Sequence, residues 1–157
     1  MGHTVRAAMG LVFWVGLCFA VAWFGARYAP GPDYGQLVKP AWTPPPWLFA
    51  PVWTVLYLMM ALAAWLVWLP AGLAGAPRAL GLFLVQLALN GLWSWLFFGL
   101  QRRGIAFVDV VLLWFAILAT AAAFWSRRPL AGVLLVPYLA WVGFAGALNL
   151  AIWRLNV

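Results

Sequence analysis

Five continuous apolar runs, each as long as a bilayer core is thick, constrain this chain more than anything else in it. They cover residues 5–28, 47–69, 79–100, 105–125 and 130–153. A hydrocarbon core of about 30 Å takes roughly 20 helical residues. With no water inside that core, only helices and closed barrels satisfy their own backbone groups. The runs are rich in Leu and Ala, do not alternate, and are too long for tilted strands of roughly ten residues, which excludes the barrel. Composition agrees. With 68% hydrophobic residues, 7% charged and a mean hydropathy of +1.02, the chain has too little polar surface for a soluble domain, where charge runs near 25%. The expected fold is all-α: a compact five-transmembrane-helix bundle, one domain over 1–157, integral and multi-pass in the membrane. The first run exceeds the 7–15 apolar residues of a signal core and has no small-x-small cleavage site, so it reads as a retained helix.

Prolines and glycines mark the ends of the runs. Pro30-Gly31-Pro32 closes the first, because Pro cannot donate to a helix ladder and Gly relaxes the backbone. Thr43 directly precedes Pro44 and reads as an N-cap with proline at the first helical position; Pro45 and Pro46 also fit a first turn. Residues 29–46 are therefore expected to be a loop. It is not a slack one: Asp33–Tyr57 holds five of the eleven prolines, three of the thirteen tryptophans and the single lysine. It marks a shaped structure at the water boundary and the first place to expect a binding site. The short turns Gln101–Gly104 and Ser126–Pro129 make the third, fourth and fifth helices antiparallel neighbours.

The net charge of +7 does not indicate nucleic acid, whose binders cluster Lys and Arg on one face or helix. Here the basic residues sit at span ends, where they snorkel to headgroups. Arg6, Arg78, Arg127 and Arg128 fall on one side, and Arg27, Lys39, Arg102, Arg103 and Arg154 on the other. Four against five gives no positive-inside bias, and nothing separates an outer from an inner membrane.

Conventional enzyme chemistry has little to work with. Asp33 and Asp109 are the only carboxylate side chains, far apart in sequence, and His3 and Cys18 are single. That excludes a paired-acid or Cys/His metal arrangement. Asp109 reads as a structural buried acid satisfied by a neighbouring helix. Cys18 reads as packing.

Three helical faces carry what remains. In the second helix Trp53, Tyr57 and Met60 recur at steps of four and three; Pro51 is expected to free the carbonyl of Trp47 and kink the helix there. In the third, Gln86 and Asn90 lie one turn apart, continued by Trp93 and Phe97. In the fifth, Tyr138, Trp141, Ala145, Leu148 and Asn149 share a face, with Pro137 offering a second kink. Amides in a membrane are costly unpaired, so these faces should meet in the bundle and bond to each other or to a ligand. Together they describe an apolar chamber with a few polar anchors, suited to a large, flat, conjugated guest. Lys39 or Arg27 is placed to meet a carboxylate of such a guest at the rim.

The residues also carry a resemblance that spans the chain. Tyr34, Leu37-x-Lys39-Pro40-x-Trp42-x-Pro44-Pro45-x-Trp47, Pro51-Val52-Trp53-x-x-Leu56-Tyr57-x-x-Met60, Gln86-x-x-x-Asn90, Phe97-Phe98-Gly99, Val108-Asp109 and Pro137-Tyr-Leu-Ala-Trp141 stand in order. Phe144-Ala145, Leu148-Asn149 and Trp153-Arg154 follow. The chain resembles the tryptophan-rich sensory protein and translocator protein family (TspO/MBR, peripheral benzodiazepine receptor-like), as a bacterial member. The resemblance implies a homodimer whose pocket is roofed by the first loop and takes protoporphyrin IX, haem or a related tetrapyrrole as ligand rather than as an intrinsic cofactor. It implies contact with membrane lipid, and no metal centre. By resemblance the ligand-binding positions are Tyr34, Trp42, Phe49, Ala50, Trp53, Asn90, Ile105, Val108, Leu112, Trp141, Ala145 and Leu148. Trp53 and Trp141 match tryptophans linked in bacterial relatives to light- and oxygen-dependent porphyrin breakdown, which implies a catalytic role for the pair. Ile105 stands where animal members carry a Trp, and Leu150 stands where their sterol motif needs a Tyr. Three functions follow from the resemblance: a tetrapyrrole sensor or regulator, a porphyrin-degrading activity, or a carrier of tetrapyrroles or lipids.

Overall fold

A computed structural model describes residues 2–28 and 30–157; position 29, the first residue of the expected loop, lies outside them. The elements are α1 (Gly2–Ala26), α2 (Pro32–Gln36), α3 (Phe49–Trp68), α4 (Gly72–Gly75), α5 (Pro77–Ser94), α6 (Arg103–Arg127), α7 (Pro129–Val133) and α8 (Val136–Leu155). A 3₁₀ turn at Pro46–Leu48 leads into α3, and a π-helical turn at Trp95–Gly99 extends α5. Five units are long and apolar enough to cross a membrane: Gly2–Ala26, Pro46–Trp68, Pro77–Gly99, Arg103–Arg127 and Pro129–Leu155. They match the five apolar runs, with ends shifted by one to three residues. The chain is an integral multi-pass membrane protein.

Proline explains where helices begin. It occupies the first or second position of α2, the 3₁₀ turn, α5, α7 and α8, where the missing N–H costs nothing and the fixed φ is already helical. Several sequence expectations change on this point. Thr43 is not an N-cap. Its hydroxyl and its N–H both donate to Pro40 O, at 2.7 and 3.0 Å, closing a turn three residues before the 3₁₀ segment. Pro51 does not kink a running helix either, because α3 starts at Phe49 and Pro51 lies in its first turn, which has no ladder bond to lose. The loop contains a short helix, α2, begun by Pro32. The fifth run is two helices, with α7 ending at Val133 and Pro137 starting α8.

The spans form a ring. α1 packs between α3 and α5, α6 between α5 and α8, and α7 touches both α6 and α3. On α6 the buried residues Ala106, Asp109, Val110, Leu113, Ile117, Thr120 and Phe124 repeat at three and four, the stripe a helix needs to bury one side. Distant from the lid, Trp14 meets Phe83 edge-on at 5.6 Å, and Phe83 stacks on Phe124 at 5.8 Å. Gly132 lets α7 close on α6: a Cβ there would lie 2.8 Å from Trp125 Cβ and 3.0 Å from Ala121 O. At the lid end a second, smaller core forms from Leu96, Phe97, Ala106, Leu148 and Ile152, against which Tyr34, Leu37 and Phe49 pack.

Candidate functional site

Four side chains from three helices make one buried polar chain through the middle of the bundle. The Tyr57 hydroxyl donates to Asn90 Oδ1. Asn90 Nδ2 donates to the Tyr138 hydroxyl at 2.8 Å, and that hydroxyl donates to Gln86 Oε1 at 2.8 Å. Gln86 Nε2 ends the series 4.0 Å from Met60 Sδ. All four residues are buried. Burial requires each polar group to find a partner in lipid, and the one-turn step from Gln86 to Asn90 presents both amides to the same tyrosine. Nearer the lid, Trp93 Nε1 donates to Asn149 Oδ1 at 3.0 Å, and Asn149 Nδ2 donates to Arg103 O at 2.9 Å. The amides that the sequence placed inside the bundle thus bond across it.

Above this network lies an aromatic series. Trp53 packs on Tyr57 at 5.6 Å and Tyr138 at 6.2 Å. Phe49 meets Trp141 at 5.9 Å, Trp141 meets Phe144 at 5.5 Å, and Trp42 of the lid meets Phe144 at 5.7 Å. Trp141 Nε1 is buried and has no hydrogen-bond partner among the described residues. Buried indole N–H groups ordinarily find one.

The lid is held at four points. Tyr34 packs on Phe97 and Phe98 at 6.4 and 5.5 Å, and partial burial pushes its phenol above the usual range. Gln101 Nε2 donates to Asp33 Oδ2 at 3.0 Å. Asn156 brackets Val38, accepting its N–H at 3.0 Å and donating to its carbonyl at 2.9 Å. Lys39 Nζ donates to the carbonyls of Tyr34, Leu37 and Gly35 at 2.6, 3.0 and 3.4 Å and lies 4.7 Å from the Tyr34 ring centre. An ammonium has three donors, so Lys39 caps the end of α2 and is not a free rim cation.

The expected site residues divide. Tyr34, Trp42, Phe49, Trp53, Asn90, Trp141 and Leu148 gather at the lid end and the network below it. Ala145 is half-buried on α8 between Trp141 and Leu148, and Ala50 is exposed in the first turn of α3. Ile105, Val108 and Leu112 are 53%, 59% and 55% exposed, on a stripe of α6 offset from its buried one. Asp109 is 5% exposed, and its Oδ2 has no partner among the described residues. Among the described residues no donor of a neighbouring helix reaches that oxygen, which departs from the satisfied acid the sequence suggested. Asn156 was not singled out in sequence, and Phe144 entered only through the family resemblance, not as a site residue. For Phe144 a signal existed, since it lies three residues beyond Trp141 on the same face. No cluster of three metal-ligating side chains occurs among the described residues.

Fold and site together define a five-span membrane bundle with an aromatic, amide-lined interior beneath an ordered loop. Comparison gives the family. The sequence model of the TspO/MBR family matches residues 14–154, and the chain belongs to that family. The tryptophan-rich protein TspO of Chlorobaculum tepidum is 46% identical over 156 residues, covering 96% of this chain and 98% of its own. The translocator protein of Homo sapiens is 40% identical over 161 residues, 99% of this chain and 89% of its own. The tryptophan-rich sensory protein of Cereibacter sphaeroides is 44% identical over 139 residues, 88% and 86% of the two chains.

Proposed function

We propose that this protein binds a tetrapyrrole of the protoporphyrin IX or haem type at the lid end of the bundle and serves as a membrane-embedded sensor or regulator. The observation that carries the reading is Trp141: its indole N–H is buried without a partner among the described residues, between Phe49 and Phe144 and under the lid that bears Trp42. A planar guest stacks on such rings, and a pyrrole nitrogen or carboxylate accepts the free N–H. The rings now touch one another, so entry requires Trp42 to swing away with the lid and the Phe49 side chain to rotate aside. A lid tied down by a few hydrogen bonds and small contacts belongs to the low-stability part of a fold that such motions use. The homodimer implied by the family belongs to the same proposal, and the sensory role named for one relative supports it.

The test is a titration of the purified protein with protoporphyrin IX, following tryptophan emission. Saturable quenching that weakens in Trp141→Phe supports the reading; unchanged emission opposes it. A second reading, porphyrin oxidation by dioxygen under light, draws on Trp53, whose ring contacts two tyrosines tied into the buried network. Illumination in air that bleaches the porphyrin bands equally with Trp53→Phe/Trp141→Phe would remove it. A carrier would instead accumulate porphyrin inside liposomes.

A further inference from the structure

Where α6 begins and α8 ends, a crevice of about 310 Å³ opens at the lid side of the bundle. Gln101, Arg102, Arg103, Gly104, Trp153 and Asn156 line it. Arg102 and Arg103 line it together with Ile105 and Val157, and no Asp or Glu side chain does. Arg103 Nε is buried with no hydrogen-bond partner among the described residues, and buried guanidinium donors call for an acceptor. Gly104 lets Trp153 lie flat against the start of α6, since a Cβ there would stand 2.9 Å from the indole. The first-turn amides of α6 have no helical acceptor either and add positive potential. Paired arginines with a fixed fork suit a phosphate group.

Two walls of the crevice also hold the lid. Gln101 donates to Asp33 at 3.0 Å, and Asn156 brackets Val38 at 2.9 and 3.0 Å. The crevice has this shape only while both side chains keep their lid-engaged positions. A ligand that fills it therefore binds the closed state better than the open one and shifts the lid toward closure.

We propose that this crevice is a phosphate-binding site, on Arg102 and Arg103, whose occupancy holds the lid shut. Its position at the membrane boundary suits the phosphate of an anionic phospholipid, and a soluble phosphate shares the chemistry. The site is separate from the Trp141 aromatic group, and the test below contains no tetrapyrrole, so its outcome does not depend on that reading.

The test is hydrogen exchange of the lid, read by mass spectrometry on peptides covering residues 34–42, with the protein in nanodiscs. One set is pure phosphatidylcholine; a second adds phosphatidylglycerol; a third is pure phosphatidylcholine with millimolar inorganic phosphate. Exchange is expected to slow by about fivefold with phosphatidylglycerol, the linkage effect of a ligand at about four times its Kd. Slowing by inorganic phosphate alone would assign the same site to a soluble phosphate. Arg102→Gln, at an exposed position, is expected to reduce the effect, and Arg102→Gln/Arg103→Gln to abolish it. Unchanged exchange in α3 and α8 peptides would show that both variants are folded. Equal lid exchange in all three sets, or the same slowing in the double variant, would overturn the proposal.

Discussion

Asn156, in the last turn of the chain, holds Val38 of the first loop through both backbone groups, at 3.0 and 2.9 Å, across 118 residues of sequence. A single amide thus makes a strand-like pair of bonds with the loop backbone. Its Nδ2 also donates to Ile152 O at 2.7 Å, which fixes the side chain on α8. The amide therefore ties the lid to the fifth span, alongside the Trp42–Phe144 contact.

Asn156→Ala should release the lid. Two partly exposed bonds contribute about 1 kcal/mol net between them, so the lid should open roughly five times more often. Hydrogen exchange around Val38 should accelerate accordingly while α3, α5 and α6 keep their protection. Unaltered exchange at Val38 would show that other contacts hold the lid.

The buried network makes an ordered prediction about two tyrosines. Tyr138→Phe strands both an Asn90 donor and the Gln86 acceptor, whereas Tyr57→Phe strands only the Asn90 acceptor. The first should cost roughly 1–2 kcal/mol and the second less, by unfolding in detergent micelles. A larger loss for Tyr57→Phe would contradict the hydroxyl assignments.

Close helix approach gives a paired comparison of glycines. Gly132→Ala places a Cβ against Trp125 and the Ala121 carbonyl, whereas a Cβ at Gly16 meets nothing within 4 Å. Overpacking against a main-chain atom costs about 1–3 kcal/mol. The thermal midpoint should fall in Gly132→Ala and hold or rise in Gly16→Ala, where alanine also has the better helix propensity.

Much of the fold was legible because bilayer thickness fixes helix length, and the apolar runs show that length directly. The proline positions were harder to read. Thr43-Pro44 reads as a helix start and Pro51 as a kink, and neither holds, because α3 begins between them at Phe49. The π-helical turn at Trp95–Gly99 had no sequence mark; Trp93, Phe97 and Phe98 pack together across it. In the site, Gln86, Asn90, Tyr57 and Tyr138 declared themselves as polar groups on apolar faces. Which bonds they form did not follow, since two amides and two hydroxyls allow several pairings and only helix register selects one. Asn156 looked like any polar residue near the end of a span. Its partner is a backbone, which leaves no pattern in sequence.

Trp53 and Trp141 should differ in what they contribute to binding. Trp53 lies against Tyr57 and Tyr138, so Trp53→Phe trims a packed ring. Trp141→Phe removes a donor that has no partner among the described residues and that the proposed ligand would use. Protoporphyrin IX affinity should fall about tenfold or more in Trp141→Phe, as expected for losing one hydrogen bond to a charged group, and by less in Trp53→Phe. Equal losses by fluorescence titration would argue for stacking alone.

The most direct measurement is the indole ¹⁵N–¹H spectrum of the labelled protein, with and without protoporphyrin IX. The Trp141 resonance, assigned by its absence in Trp141→Phe, should shift downfield as its N–H gains an acceptor, in step with Trp42 of the lid. A Trp141 signal that stays put while only the exposed Trp23 and Trp125 respond would contradict a tetrapyrrole site beneath the lid.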